Sequence, residues 1–166
     1  MTAETAYSMC RQGDANGLRK LLKQHPEFDV NSGCGYKNSE ILLHIVIASG
    51  YVDCVNVLLK RGANANIESQ LCRRNGLILC IKYLTEAKRE QMYFVLDALL
   101  SHKATINASD HLGRTALHYA AKLNNRDAVV YLLQWGANKD AKDNHGLRPI
   151  DLCCENSACV DVLNDG

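Results

Sequence analysis

The feature that most constrains the fold is a segment that the chain contains more than once. The stretch from Gly113, GRTALHYAAKLNNRDAVVYLLQWGANKDAKD, aligns without a gap on the stretch from Ser39, SEILLHIVIASGYVDCVNVLLKRGANANIES. A unit of this length is one supersecondary element, and it cannot bury its apolar face alone. The chain is therefore predicted to be a stack of similar units. The matched positions are Leu117 with Leu43, His118 with His44, Leu132 and Leu133 with Leu58 and Leu59, and Gly136, Ala137 and Asn138 with Gly62, Ala63 and Asn64.

Three weaker copies extend the repeat over the whole chain. GLRPIDLCCEN begins at Gly146, with Ile150 in the place of Leu117, and AYSMCRQGDANGLRKLLKQHPEFDVN is an N-terminal copy that lacks a preceding hairpin. The middle copy, NGLILCIKYLTEAKREQMYFVLDALLSHKATIN, contains an insertion around Thr85 to Gln91. These copies predict one domain over residues 1–166. Its approximate units are an N-terminal cap at 1–33, then 34–67, 68–108 and 109–141, and a C-terminal cap at 142–166.

The pattern G-x-T-x-L-H-x-A-A at Gly113 resembles the signature of the ankyrin-repeat family, and the resemblance covers essentially the whole chain. It implies an all-α fold, an ankyrin-repeat solenoid of stacked helix-turn-helix units with short β-hairpin loops. The chain departs from the family pattern at Ser39 and Arg73, which stand where the turn glycine is usual. The middle unit also lacks the threonine and the histidine.

Individual residues suit such a unit for physical reasons. Gly113 permits a positive φ in the loop, Thr115 can cap the helix that follows, and alanines let two helices approach closely. Asp14 is predicted to cap a helix N-terminus, and Gly62 and Gly136 to end helices in the left-handed conformation. Lys103 replaces such a glycine, which predicts a strained or altered cap. The insertion TEAKREQ is rich in helix-forming residues and is predicted to lengthen the first helix of its unit or the turn after it.

The polar and sulfur-containing residues indicate structure rather than catalysis. His118 and His44 share one repeat position without a shared nucleophile, so both are interpreted as structural histidines that bond backbone between units. Cysteines fall on small core positions of the repeat, while Trp135 is interpreted as a packing residue. No pair of cysteines or histidines has metal-ligand spacing, and no catalytic motif is present, so we expect a protein that is not an enzyme and needs no cofactor. The cysteines assigned to the core are Cys10, Cys54, Cys80, Cys153 and Cys154, whereas Cys34 and Cys72 are assigned to loops.

The family resemblance also implies where a partner protein binds. Ankyrin repeats bind through a face built from hairpin tips and the exposed sides of the first helices. On that face basic residues outnumber acidic ones, which favours an acidic partner anchored by Tyr83 and Tyr119. The alternative is that the cations only keep the inner helices solvated. The residues assigned to partner binding are Arg11, Lys37, Arg74, Leu79, Lys82, Tyr83, His111, Leu112, Arg114, Tyr119, Lys122, Leu123 and His145.

Charge and hydropathy set the expected setting of the protein. Nineteen Lys and Arg against eighteen Asp and Glu give a net charge of +1, which offers no general attraction to nucleic acid. The N-terminus lacks the pattern of a secretion signal, and no apolar stretch is long enough to span a bilayer. We therefore expect a cytoplasmic or nuclear protein with reduced thiols that is a monomer on its own and does not bind membranes.

Two narrower functions stay open at this stage, as does the extent of the protein. The chain is similar in size to the ankyrin-type inhibitors of cyclin-dependent kinases, and it also resembles the NF-kappa-B inhibitors of transcription factors. The second class would need acidic hairpin tips to mask a basic segment, and the tips here are basic. The alternative to both is that the chain is a piece of a larger scaffold. The resemblance further implies that Asn66 and Asn107 are substrates of the asparaginyl hydroxylase that modifies ankyrin repeats.

Overall fold

The computed structural model describes residues 2–32, 41–83, 88–154 and 157–165, and these form helices arranged in two layers. The predicted all-α repeat fold is confirmed. Within the described residues, strand pairing is limited to one antiparallel bridge between Ser109 and Thr115. The first helix of each unit forms one layer: α1 (Thr2–Gln12), α3 (Leu42–Ser49), α5 (Gly76–Lys82) and α7 (Ala116–Lys122). The second helices form the other: α2 (Ala15–Gln24), α4 (Val52–Lys60), α6 (Arg89–Ser101) and α8 (Arg126–Gln134).

The two layers stack in chain order and end in a shortened last unit. Helices α1, α3, α5 and α7 pack one on the next, and α2 packs on α4 and α4 on α6. After α8 the chain forms a short 3₁₀ helix, Pro149–Leu152, and then α9, Ala158–Asp165. The 3₁₀ helix packs on α7, and α9 packs on α8, so the last unit covers the end of both layers.

One apolar core runs through the whole stack. Leu58, Leu99 and Leu132, from the second helices of three successive units, are fully buried, as are Leu77 and Leu117 from the first helices. Full burial of a leucine side chain stabilises a fold by about 1.5–3 kcal/mol relative to leaving it in water. The predicted core between units is therefore the main source of cohesion.

The predicted caps are confirmed. The Asp14 carboxylate accepts a hydrogen bond of 2.8 Å from the N–H of Gly17, and Gly136 follows α8 with φ +81°. Lys103 stands at the same place in its unit and adopts φ +64°, although the left-handed conformation is less favourable for lysine than for glycine. Arg73 likewise adopts φ +50° in the loop before α5. The chain thus keeps the repeat geometry at both positions despite the unfavourable side chain.

The insertion in the middle unit agrees with one of its two predicted placements, the turn after the first helix. Six residues separate α5 from α6, against two between α3 and α4 and three between α7 and α8. Helix α5 has seven residues, as many as α7, so the first helix is not lengthened. Helix α6 has thirteen residues against nine in α4 and in α8, and it begins at Arg89, inside the inserted segment. Of the two helices of this unit, the second is therefore the one that is extended. Contacts with both neighbouring units hold its N-terminus: Arg89 pairs with Asp127 of α8, and Lys88 Nζ donates to the carbonyl of Ser49, the last residue of α3, at 3.0 Å. Residues 84–87 lie outside the described part.

The last unit corrects one prediction about the cysteines. Cys10, Cys54 and Cys80 are buried as predicted, but Cys153 is half-buried and Cys154 is exposed. The reason is that the 3₁₀ helix ends at Leu152 and Cys153 is extended, with ψ 151°. The helical register that would carry both cysteines into the core is lost there.

Trp135 lies at the end of α8 and packs only in part. Its ring contacts that of Tyr131 at a centroid distance of 6.5 Å, and 44% of the residue stays exposed. Tyr131 in turn contacts Tyr93 of α6 at 5.4 Å. The tryptophan therefore ends a row of aromatic rings across the second-helix layer.

Candidate interface

The loop before α7 is built around one buried aspartate. Asp110 Oδ1 accepts hydrogen bonds from the N–H groups of Leu112 (2.9 Å) and Arg114 (3.1 Å), which closes the turn. In the next unit Asp143 makes the same pair of bonds, to His145 at 2.9 Å and Leu147 at 3.0 Å. The sequence interpretation missed both aspartates, although their equivalent positions in two adjacent units were a usable signal.

Successive loops are tied to each other. The N–H of Asn144 donates to the carbonyl of Leu112 at 2.9 Å, and the amide of its side chain donates to that of His111 at 3.0 Å. His111 in turn donates through its N–H to the carbonyl of Cys72 at 3.1 Å. Gly113 allows this close approach, because it has φ +74° and a Cβ there would lie 2.5 Å from Oδ1 of Asn144. The loops thus form one continuous edge of the molecule.

His118 joins two units, as predicted. Its Nδ1 accepts from the N–H of Thr115 (3.2 Å) and lies 2.9 Å from the threonine hydroxyl, in a capping box at the start of α7. Because Nδ1 accepts, Nε2 carries the proton and donates to the carbonyl of Leu147 at 3.1 Å. Burial lowers the pKa of this imidazole below its usual range, which keeps it neutral. His44 makes the equivalent contact in its unit, with Nε2 2.9 Å from the carbonyl oxygen of Ile67, and burial also lowers its pKa.

The loops after the second helices are joined by a ladder of asparagines. Asn66 and Asn107, the residues assigned to hydroxylation, both use each end of their amide in bonds to the next unit. Asn31 does the same, and the sequence interpretation did not single it out. Each side-chain N–H donates to a backbone carbonyl: that of Gly62 for Asn31 (3.2 Å), of Lys103 for Asn66 (3.0 Å) and of Gly136 for Asn107 (3.5 Å). Each side-chain oxygen accepts from a backbone N–H: that of Asn64 for Asn31 (2.7 Å), of Thr105 for Asn66 (2.7 Å) and of Asn138 for Asn107 (2.8 Å).

Two residues assigned to partner binding are engaged inside the fold. Tyr119 is only 8% exposed, and its hydroxyl donates to Oδ2 of Asp110 at 2.6 Å. The Arg114 side chain is 15% exposed, and its Nε donates to Oδ2 of Asp143 at 3.0 Å. The expectation that Tyr119 is a surface anchor is therefore corrected: this ring supports the loop edge. Most of the charge of Arg114 is balanced within the molecule.

The buried aspartates respond electrostatically to these partners. Burial alone would raise the pKa of Asp143, but the hydrogen bonds from Arg114 and from the loop N–H groups outweigh it and lower the pKa to about 2. For Asp110, burial is likewise opposed by the bonds from Tyr119 and the loop, and its pKa is lowered. Arg74 places a cation near Asp110, with Nε 3.8 Å from Oδ2. Both carboxylates are therefore ionised supports of the loop edge.

The remaining predicted cations differ in their surroundings. Lys82 is exposed and its Nζ lies 5.5 Å from the centre of the Tyr119 ring, while partial desolvation of the ammonium group and the charge of Arg74 lower its pKa. Lys122 is exposed on the next first helix. Arg11, in α1, donates to the hydroxyl of Tyr7 at 3.2 Å. Lys37 lies outside the described residues.

An open groove separates α3 from α5 and is bordered by the loop before α5. Its volume is about 390 Å³, and His44, Leu79 and Tyr83 are among the residues that line it. Leu71 at the loop tip is 84% exposed, and Tyr83 at the end of α5 is 48% exposed. Farther along the same layer Leu123 is 52% exposed. The predicted residues of the loop edge are also accessible, His111 and His145 being exposed and Leu112 half-buried.

The part of the chain that the structure describes contains neither a cluster of metal-ligating side chains nor a helix that could span a membrane. No three His, Cys, Asp or Glu side chains come together there as a metal site would require. None of the described helices combines the length and apolar character needed to cross a bilayer.

Comparison with known proteins gives one consistent family. A family model for ankyrin repeats (three copies) matches residues 5–143 and 84–165. Among curated relatives, neurogenic locus notch homolog protein 1 of Mus musculus is 30% identical over 91% of this chain, which covers 6% of that protein. The probable E3 ubiquitin-protein ligase XBOS33 of Oryza sativa subsp. japonica is 35% identical over 72% of the chain and 21% of its own length. Potassium channel AKT2/3 of Arabidopsis thaliana is 32% identical over 98% of the chain and 18% of its length. The chain thus spans only a small part of each relative.

Proposed function

The chain belongs to the ankyrin-repeat family, and from this premise we propose that it binds a partner protein in the groove between α3 and α5. Ankyrin repeats are protein–protein interaction modules. The observation that supports this location is the groove of about 390 Å³ with two exposed hydrophobic residues, Leu71 and Tyr83, at its border. Tyrosine is enriched among the few side chains that contribute most of the binding free energy at such interfaces, and Leu71 adds exposed apolar surface to that of Tyr83. The proposed activity is binding rather than catalysis.

Charge supports an acidic partner. Lys82 and Lys122 are exposed on successive first helices, and no described carboxylate forms an ion pair with either. Arg74 and Arg114 contribute less than the sequence alone suggests, because Asp110 and Asp143 face them at 3.8 Å and 3.0 Å. A partner with carboxylates beside an apolar side chain would therefore meet Tyr83 and the two lysines.

The narrower classes predicted from the sequence remain proposals. An acidic surface beside a kinase cleft would match the exposed lysines, which favours a kinase regulator over a protein that masks a basic segment of a transcription factor. The names of the relatives describe large proteins of which this chain matches a small part, so we take no partner from them.

Affinity capture with matched variants tests the proposed groove. Leu71→Ala combined with Tyr83→Ala removes exposed side chains, whereas Phe94→Ala combined with Trp135→Ala removes exposed aromatic residues of the second-helix layer. Tyr119 is left intact because its replacement would disturb the loop edge. Proteins retained by the wild type and by the Phe94 and Trp135 control, and lost by the Leu71 and Tyr83 variant, would support the proposal. Equal retention of every wild-type partner by both variants would contradict it.

Charge reversal tests the acidic character of the partner separately. For a partner identified by the capture experiment, Lys82→Glu with Lys122→Glu should weaken binding at least tenfold, because two favourable charge contacts become repulsive. Lys20→Glu with Lys142→Glu makes the same change in net charge at exposed positions that line neither this groove nor the one between α2 and α4. An equal loss in both double variants would show that only the overall charge matters.

We also propose two properties that follow from the family resemblance. Asn66 and Asn107 are proposed substrates of an asparaginyl hydroxylase, and intact mass after co-expression with that enzyme would show the gain of one oxygen atom per modified residue. Alanine at either position should remove its own increment and leave the other. A location in the cytoplasm or nucleus is proposed as well, and imaging of the endogenous protein would test it.

A further inference from the structure

A second groove lies in the other layer of helices, between α2 and α4. Its volume is about 550 Å³, larger than that of the groove between α3 and α5. Leu22 and Val57 lie at the bottom of the groove and are only 3% and 8% exposed. The accessible apolar surface comes from exposed Pro26, beyond the end of α2, and from the aliphatic stems of the long side chains that line the groove. This groove shares no lining residue with the first one.

Four cations line the second groove, two from each side. Arg19 and Lys23 are four residues apart in α2 and so lie on one face of that helix. Lys60 is the last residue of α4, and Arg61 follows it as the C-cap. The residues that line the groove include no aspartate or glutamate. Positive charge is therefore concentrated along this groove, although the net charge of the whole chain is only +1.

Inside the described molecule, the charge of Arg61 is opposed only in part, by the nearby carboxylate of Glu27, whose pKa it helps to lower. Arg19 donates to the amide oxygen of Asn16 at 3.0 Å, and Arg61 donates to the backbone carbonyl of Pro26, so both arginines face neutral acceptors. Lys23 and Lys60 form no ion pair with any described carboxylate. The neighbouring Glu27, just beyond Pro26, is paired with His25 at 3.1 Å.

We propose that the groove between α2 and α4 binds an acidic amphipathic segment of a partner protein. Apolar side chains of that segment would lie against Pro26 and the aliphatic stems of the lysines and arginines, and carboxylates on either side of them would meet the cations of the two helices. The apolar floor distinguishes this ligand from a nucleic acid, because backbone phosphates gain nothing from it and the lining has no aromatic ring on which a base could stack. This surface is independent of the groove proposed above.

A designed peptide serves as the probe. We choose a fluorescein-labelled helical peptide in which leucines form one stripe and glutamates flank it on both sides, and measure its binding by fluorescence anisotropy. Lys23→Glu with Lys60→Glu should weaken binding at least tenfold. Lys20→Glu with Lys142→Glu changes the net charge equally at exposed positions outside the groove and should leave binding within twofold of the wild type. All four lysines are exposed, so neither double variant removes core packing.

Peptide variants separate charge from shape. A peptide with glutamine in place of glutamate and one with serine in place of leucine should each bind at least tenfold more weakly. In ¹⁵N-labelled protein, the peptide should shift amide signals of residues 19–25 and 56–61. Equal binding to both double variants, equal binding of the serine peptide, or shifts confined to α3 and α5 would each overturn the proposal. Leu71→Ala with Tyr83→Ala should leave this binding unchanged, so failure here is distinguishable from failure of the first groove.

Discussion

The stacking of successive loops can be weighed by placing one methyl group at two equivalent glycines. Gly113 and Gly146 occupy the same place in adjacent units, and their φ angles are +74° and +79°. A Cβ on Gly113 would lie 2.9 Å from the backbone nitrogen of Asn144, whereas a Cβ on Gly146 has no described neighbour within 4 Å. The two alanine variants therefore share the same backbone strain and differ in the contact with the next loop.

The structure gives the expected size of each effect. An alanine in the left-handed region costs about 1–2 kcal/mol, which is the whole expected cost of Gly146→Ala. In Gly113→Ala the next loop must also move, which breaks the bonds from Asn144 to Leu112 (2.9 Å) and to His111 (3.0 Å). Each such bond contributes about 0.5–1.5 kcal/mol net. Gly113→Ala should therefore lower the free energy of unfolding by about 2–5 kcal/mol.

Urea unfolding at pH 7, with both variants and the wild type fitted for free energy and slope, measures these costs. Gly136→Ala, at φ +81° and with no described atom within 4 Å of its Cβ, is a second control and should behave like Gly146→Ala. Equal losses for Gly113→Ala and Gly146→Ala, at equal slopes, would refute the view that loop stacking stabilises the molecule.

Three further outcomes follow from the contacts. Burial lowers the pKa of His118 in the folded protein, so below about pH 6.5 this histidine is protonated more readily in the unfolded chain. The free energy of unfolding should therefore fall as the pH drops below that value, and urea titrations of His118→Gln should show a shallower fall. A double-mutant cycle of Arg114→Gln and Asp143→Asn should give a coupling free energy of about 1–3 kcal/mol in urea unfolding, and a value near zero would contradict the ion pair. Iodoacetamide should alkylate exposed Cys154 in the native protein but reach buried Cys80, whose pKa burial raises, only after unfolding; peptide mass mapping distinguishes the two.

Local residue patterns were sufficient for much of the fold. The match of Leu117 with Leu43 predicted helix pairs with a shared core, and glycine positions such as Gly136 predicted left-handed caps, since both depend on neighbours within one unit. The inserted segment was predicted less well, because good helix formers do not say which of two adjacent helices they extend. Cys154 was misplaced because the repeat register stops at the 3₁₀ helix, where no further unit is present in the described stack to bury it.

The candidate site depended more on contacts between units. Position in the repeat correctly placed Tyr83 and Lys82 at accessible sites on the first-helix layer. It could not show that Tyr119 is bonded to Asp110, or that Arg114 is bonded to Asp143 in the following unit. The groove between α2 and α4 was also missed, because its cations come from two units and look like ordinary surface residues in each one.

The sequence by itself determined that similar helical units repeat, which residues of each unit turn inward and where the loops lie. It does so because hydrophobic periodicity and glycine or capping positions act over a few neighbouring residues. Only the tertiary structure decided which polar side chains remain available to a partner. That choice depends on contacts such as the one between Arg114 and Asp143, in loops about thirty residues apart, where a buried carboxylate either meets a cation or leaves it exposed to solvent.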